Sequence, residues 1–134
     1  MKSMKNDVLG SFIIDMRLPS MNDMTAANRA GEHVGAKMKK ETESDISKYI
    51  MLAVAHKTLS PVKVPVEVWI EWHEQNKKRD ADNIESGIKF ILDALQKSGI
   101  LINDSRRWVK QLHHLIVDDK KTFVKVWLTK SNTE

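Results

Sequence analysis

Val64-Pro-Val-Glu-Val-Trp-Ile-Glu-Trp-His73 leads, a few residues on, into Lys77-Lys-Arg-Asp-Ala-Asp-Asn83, and the fold turns on this passage. Val66, Val68, Ile70 and Trp72 alternate with Glu67, Trp69, Glu71 and His73, the period of a half-buried strand. Asp80 and Asp82 are therefore expected at or just beyond the end of a strand. If Arg79 to Asp82 is extended, the two carboxylates project to the same side. Two such charges at 4 Å repel by about 4 kcal/mol in a partly screened medium. A divalent cation removes that repulsion, and hard carboxylate oxygens suit Mg²⁺ or Mn²⁺.

Downstream, Ile84, Ile88, Ile91, Leu92 and Leu95 mark one face of a helix predicted from Ile84 to Lys97. Gly99 is a left-handed stop, and Ile100-Leu-Ile102 delivers Asn103 and Asp104. Trp108 to Val117 and Thr122 to Leu128 read as two strands. Asp118-Asp-Lys-Lys121 would be their hairpin connection, though it lacks the usual glycine. Ser131 to Glu134 is a frayed end.

Upstream, Gly10 to Leu18 reads as a strand ended by Pro19-Ser20, and Met21 to Thr25 is a polar junction with several helix caps. Ala26, Ala27, Ala30, Val34 and Met38 recur at helical spacing, as do Ile46, Ile50, Met51 and Val54. Gly31 and Gly35 weaken the first part, so a short helix or irregular arm is expected, then a longer helix from about Lys37 to Lys57. Lys37, Lys39 and Lys40 would open that helix, either as a solvated face beside Glu41 and Glu43 or as contacts to a DNA backbone. The order β, α, β, α, β, β defines one α+β domain over residues 1–134, with helices packed on a small mixed β-sheet.

Composition narrows the function. The 134 residues hold no cysteine, which excludes disulfides and thiolate metal sites. No stretch is long enough to span a membrane, and Met1 to Asp7 has no long apolar run behind it, so a signal peptide is not expected and a cytoplasmic protein is. The net charge of +4 permits a polyanionic partner without requiring one. The spacings of His33, His56 and His73 match no zinc motif, and His113 and His114 face opposite sides of a strand. The four tryptophans fit core or interface better than a base-stacking platform.

Each motif residue also has a structural explanation. Asp82 with Glu85 fits a variant capping box. Asp93 could pair with Lys89 and Lys97 as a surface ladder. Asp104 could start a turn. Capping leaves Asp80 unexplained, and leaves unexplained why a strand end and an apolar loop both terminate in carboxylates.

Arg79-Asp-Ala-Asp-Asn83, the helix carrying Lys89 and Asp93-Ala-Leu95, and Gly99-Ile-Leu-Ile-Asn-Asp104 together resemble the RusA family of Holliday junction resolvases, small endodeoxyribonucleases often borne by phages. The specific match covers residues 79–105. The resemblance implies a homodimer that binds four-way DNA junctions and cuts them symmetrically with Mg²⁺, in recombination and repair. It implies that Asp80, Asp82 and Asp104 are the metal-binding acidic residues and that Lys89 is the catalytic lysine. It places Arg79 and Asn83 beside the site, where Arg79, Lys77 and Lys78 would hold flanking phosphates. Two departures stand out. Lys89 follows Asn83 by six residues, where the family's best-known form has three; on a continuous helix that shift is about 60° and 4.5 Å, nearly the same face. Asn103 replaces the first aspartate of a pair. The competing readings are a non-catalytic module that binds branched DNA and a nuclease acting on other branched DNA.

Overall fold

The computed structural model describes residues 8–132. The expectation for Met1 to Asp7, and the last two residues of the frayed end, lie outside that range. The expected α+β architecture is present: β1 (Val8–Ile14), α1 (Met21–Ala30), α2 (Glu32–Ala55), β2 (Val66–Glu74), α3 (Ala81–Glu85), α4 (Ile88–Lys97), β3 (Val109–Asp118) and β4 (Phe123–Lys130). The four strands form one mixed sheet in the order β1-β4-β2-β3.

β2 is central, and its alternation is what the sequence foretells. Val66, Val68, Ile70, Trp72 and Glu74 are buried, while Glu67, Trp69, Glu71 and His73 are half-buried on the other face. It pairs parallel with β3 and antiparallel with β4. Parallel neighbours need a long crossover, and the segment containing α3 and α4 supplies it.

The expected hairpin between β3 and β4 does not form, because β2 lies between the two strands. Asp118-Asp-Lys-Lys121 lacks residues suited to the left-handed backbone of a two-residue turn. It crosses the end of β2 instead. The Asp119 N–H donates to the Glu74 carbonyl at 3.0 Å, the Gln75 amide side chain donates to the Lys120 carbonyl at 3.0 Å, and the Gln75 N–H donates to the Thr122 hydroxyl at 3.2 Å. At the other end of the chain, the Ser131 N–H donates to the Pro65 carbonyl, so the final strand is tied down to that residue.

The region that glycine leaves ambiguous is two regular helices. Ser20 opens α1 with a capping box: its hydroxyl accepts the Asp23 N–H while Asp23 accepts the Ser20 N–H at 2.9 Å. That backbone bond is the main reason the Asp23 carboxyl sits below its ordinary pKa. The chain turns at Gly31, whose φ of 150° lies in glycine territory. Gly35 lets α2 cross α1 closely, since a Cβ there would fall 1.8 Å from the Asn28 side-chain oxygen. α2 begins at Glu32 rather than at Lys37, so Lys37, Lys39 and Lys40 lie beyond its first turn and do not oppose the helix dipole. Its buried face is Ile46, Ile50 and Ala53; Met51 and Val54 point to solvent.

The predicted helix from Ile84 to Lys97 is broken in two. Ser86 and Gly87 keep near-helical torsions, and the Ser86 N–H still reaches the Asp82 carbonyl, but Gly87 makes three-residue hydrogen bonds, its N–H to the Ile84 carbonyl and its carbonyl from the Phe90 N–H. The cause is contact with the core. A Cβ on Gly87 would lie 3.1 and 3.2 Å from the Trp72 ring and 3.4 Å from Leu18. At its far end α4 closes as expected: Gly99 has φ 76°, the Ile100 N–H reaches the Leu95 carbonyl and the Gly99 N–H reaches the Gln96 carbonyl, a Schellman pair. Ile100 and Leu101 then bury in the core.

Gly87→Ala is expected to lower stability by about 1–3 kcal/mol, the cost of forcing a methyl into packed structure. Urea denaturation checks this, and a loss below about 0.5 kcal/mol would mean that the Trp72 ring yields freely.

Candidate active site

Glu74 ends β2 on the buried face, and Arg79 answers it. The guanidinium is bidentate on that carboxylate, Nε to Oε1 at 3.1 Å and Nη2 to Oε2 at 2.7 Å, and its Nη1 donates to the Leu18 carbonyl at 3.1 Å. The side chains are 14% and 9% exposed, so the pair is largely withdrawn from water. Arg79 is thus engaged by the fold, and the expected phosphate contact is taken by protein groups. Glu74 was not singled out in the sequence. A carboxylate continuing the inward alternation of β2 is the signal, since a buried acid needs a cation close by.

The clamp fixes where the motif begins. Asp80 is extended (φ −73°, ψ 156°) and stands at the N-cap of α3, yet its side chain makes no capping bond. Asp82 lies in the first turn of α3, so the pair is not carried on an extended segment and strand alternation does not align them. The capping box of Asp82 with Glu85 is not formed; Asp82 accepts only the neighbouring Asn83 N–H, at 3.0 Å. Asp80 and Asp82 are exposed, and neither makes an ion pair among the described residues. Asn83 is half-buried, and its carbonyl accepts the Ser86 hydroxyl at 2.7 Å. Lys77 and Lys78 are exposed in the preceding loop, Lys77 at 3.9 Å from Asp118.

Lys89 sits in the first turn of α4 and borders a cleft of about 230 Å³ with Ser20, Met21, Met24, Lys39 and Phe90. The helix break puts its approach on a turn rather than on a continuous helix. The surface ladder expected on α4 is replaced by ties to α2. Asp93 pairs with Lys39 at 3.7 Å, and Lys97 bonds Glu43, which is buried rather than solvated. Lys37 pairs with Glu41 at the surface.

Asp104 is elsewhere. It lies in the exposed loop leading into β3, and β3 starts beside the start of β2, whereas Asp80 follows the end of β2. A nine-residue strand spans roughly 30 Å. A single chain therefore brings Asp80, Asp82 and Lys89 to one end of the sheet and Asp104 to the other. Among the described residues no three His, Asp or Glu side chains group as a metal site. Asn103 does turn chemistry: its side-chain oxygen accepts the Ser105 N–H at 2.9 Å, which an aspartate would do equally well. In donor chemistry Asp80 and Asp82 fit Mg²⁺, which takes one or two protein carboxylates and completes its shell with water and phosphate oxygens.

The two adjacent histidines do face opposite ways. His113 stacks on Trp69 at 3.7 Å and meets Glu67 at 2.7 Å. His114 Nδ1 accepts the Trp72 indole N–H at 2.9 Å on the helix side. Burial holds its pKa below the ordinary 6.5, with His113 adding to the shift and Glu85 opposing it.

Helices packed on a four-stranded mixed sheet make this chain a small α+β domain. The sequence model of the family described as endodeoxyribonuclease RusA matches residues 19–128, and the chain belongs to that family. Its class is that of hydrolases cutting phosphodiester bonds within DNA. No curated protein matches the chain. Among the described residues no helix is long and apolar enough to cross a membrane.

Two outcomes follow from this geometry. Glu74→Ala strands the Arg79 guanidinium and is expected to cost roughly 2–3 kcal/mol, somewhat less than breaking a fully buried pair; chemical denaturation reads it, and a neutral result would show the clamp to be ornamental. Because the folded pKa of His114 is depressed, the unfolded chain takes up the proton first. Its contribution is full above about pH 6.5 and is lost as pH falls through the lower folded value. His114→Asn retains an acceptor for Trp72 and should flatten that part of the stability–pH curve, as measured between pH 7.5 and 5.5.

Proposed function

We propose that the protein is a Mg²⁺-dependent endonuclease that resolves four-way DNA junctions as a homodimer, in recombination and repair in the cytoplasm. The observation that carries this reading is the pair of exposed carboxylates, Asp80 and Asp82, without cationic partners in a basic chain of the RusA family. Three acids of the surrounding elements are committed elsewhere: Glu74 to Arg79, Asp23 to Ser20 and Arg17, Asp93 to Lys39.

Asp80 and Asp82 would hold the metal, with Mn²⁺ a possible substitute. When bound, it lowers the pKa of a coordinated water and offsets charge on the phosphate. Lys89, at the cleft beside α1, stabilises negative charge as it develops on the scissile phosphate oxygens. Lys77 and Lys78 touch flanking phosphates and carry no sequence information. Arg79 acts through Glu74, holding Asp80 in its extended conformation, and Asn83 shapes the turn behind the carboxylates. Asp104 lies at the far end of its own chain, so the Asp104 able to join the pair belongs to a second copy. A two-fold dimer matches paired cuts on opposite strands.

The test is cleavage of an end-labelled four-way junction in Mg²⁺ and in chelator, beside linear duplex and fork. Paired symmetric nicks, confined to the junction and to metal, are expected. Asp80→Asn and Asp82→Asn should fold normally by circular dichroism and lose on the order of 100-fold or more in rate, the scale of removing one charge-stabilising group. Undiminished cutting by both variants rejects the metal role. Binding without nicks in either Mg²⁺ or Mn²⁺ makes the chain a branched-DNA module, and equal cutting of forks makes it a general branch nuclease.

A further inference from the structure

The cleft beside Lys89 is walled by three elements. The start of α1 gives Ser20, Met21 and Met24, the junction of α3 and α4 gives Ser86, Lys89 and Phe90, and α2 gives Lys39. Met21 is 52% exposed at the rim, whereas Phe90 is anchored in the core. Among the described residues that line the cleft none is acidic. The Lys39 ammonium stands 3.7 Å from Asp93 and 4.0 Å from Glu43, beyond hydrogen-bond reach of both. The two carboxylates hold it in place and leave its donors free. The cleft is also joined to the acidic motif. The Ser86 N–H donates to the Asp82 carbonyl at 3.1 Å, and the Ser86 hydroxyl donates to the Asn83 carbonyl at 2.7 Å. On the opposite wall, Ser20 lies two residues beyond Leu18, whose carbonyl accepts from Arg79. Asp82 and Ser86 are four residues apart in helical geometry, so that wall stands about 6 Å along the helix axis from the carboxylate turn.

We propose that this cleft receives one unstacked nucleobase of the DNA strand whose phosphate lies at Asp80 and Asp82. The chemistry of the walls selects that occupant. A volume of about 230 Å³ is smaller than the roughly 300–1,000 Å³ of pockets for drug-sized molecules, and it suits a single flat ring system. Thioethers and an aromatic side chain make favourable contacts to such a ring. Two cations with no acid between them call for a ligand that carries negative charge, and a nucleotide joins an apolar ring to a phosphate. A purely apolar molecule would leave Lys39 and Lys89 unanswered, and a lone phosphate would leave Met21 and Met24 uncovered. The walls offer little that distinguishes one base from another. The Ser20 hydroxyl already accepts the Asp23 N–H at 3.2 Å and the Ser86 hydroxyl already donates, so contact is by shape and charge. Taking a base from a duplex costs its stacking and pairing, and that cost is least where pairing is already interrupted. A single chain thereby favours a branch point over continuous duplex, apart from any spacing between two active sites. The inference rests on the reading of the chain as a nuclease for branched DNA and names a subsite of it, but its test reads base position and binding, not cutting.

The test is binding of a four-way junction by the full chain carrying Asp80→Asn, in chelator, so that no strand is cut. 2-Aminopurine, which brightens when it leaves the stack, is placed singly at each nucleotide flanking the exchange point. Fluorescence should rise on binding at one position of a strand and stay flat at its neighbours. Adding Met21→Ala should weaken binding about threefold to tenfold, the scale of one sulfur–ring contact. An abasic nucleotide at the responsive position should weaken it similarly, and the two changes together should cost no more than either alone, because both delete the same contact. Lys39→Gln should lower the slope of log affinity against log salt by about 1, as expected for one lost phosphate contact. Circular dichroism confirms that each variant is folded. No responsive position, a Met21→Ala loss that is absent or persists undiminished on the abasic junction, or an unchanged salt slope each overturns the proposal. Failure to bind any DNA overturns it together with the nuclease reading. A responsive base in a junction that the unsubstituted protein never cuts in Mg²⁺ overturns the nuclease reading alone.

Discussion

The bidentate bond between Glu74 and Arg79 is the constraint from which the rest of the site follows. A carboxylate at the last inward position of β2 cannot stay buried alone. Its partner comes from five residues ahead, so the chain must double over the strand end before it enters α3. The third donor of Arg79 reaches the Leu18 carbonyl, tying that turn to the segment that leads into α1. Three parts of the chain are thereby fastened at one point, and Asp80 emerges from it extended and exposed. A lysine at position 79 would offer one point charge in place of a planar fork and could not hold two oxygens and a carbonyl together.

A second constraint runs through Trp72. On its ring lies Gly87, where the helix breaks; at its indole nitrogen lies His114 of the edge strand. The start of α4, which carries Lys89, and the middle of β3 are therefore positioned by the same fully buried side chain. A change at either place is felt at the other through packing, because interiors are too dense to absorb a displaced ring.

The central strand, the glycine stop at Gly99 and the α+β order were legible because they depend on local period and local backbone chemistry. The topology of β3 and β4 was not, since adjacent strands usually pair and the intervening β2 is a fact of tertiary structure; the missing glycine in Asp118 to Lys121 was the local sign. The break at Ser86-Gly87 was hidden because every residue from Ile84 to Lys97 suits a helix except one glycine, and what selects the break is the Trp72 ring. For the candidate site, Asp80, Asp82 and Lys89 could be named from the sequence pattern. The commitment of Arg79 to Glu74 could not be read without seeing Glu74 as an inward residue, and the separation of Asp104 from Asp80 required the parallel pairing of β2 with β3.

That separation bears on how such a domain can work. In a parallel β-α-β unit, the residues after the first strand and those before the second lie at opposite ends by construction. No adjustment of loops a few residues long closes a distance set by a nine-residue strand. Within one chain, then, the acids at the two ends of the sheet act apart, and any chemistry at the Asp80 end rests on what that end itself supplies.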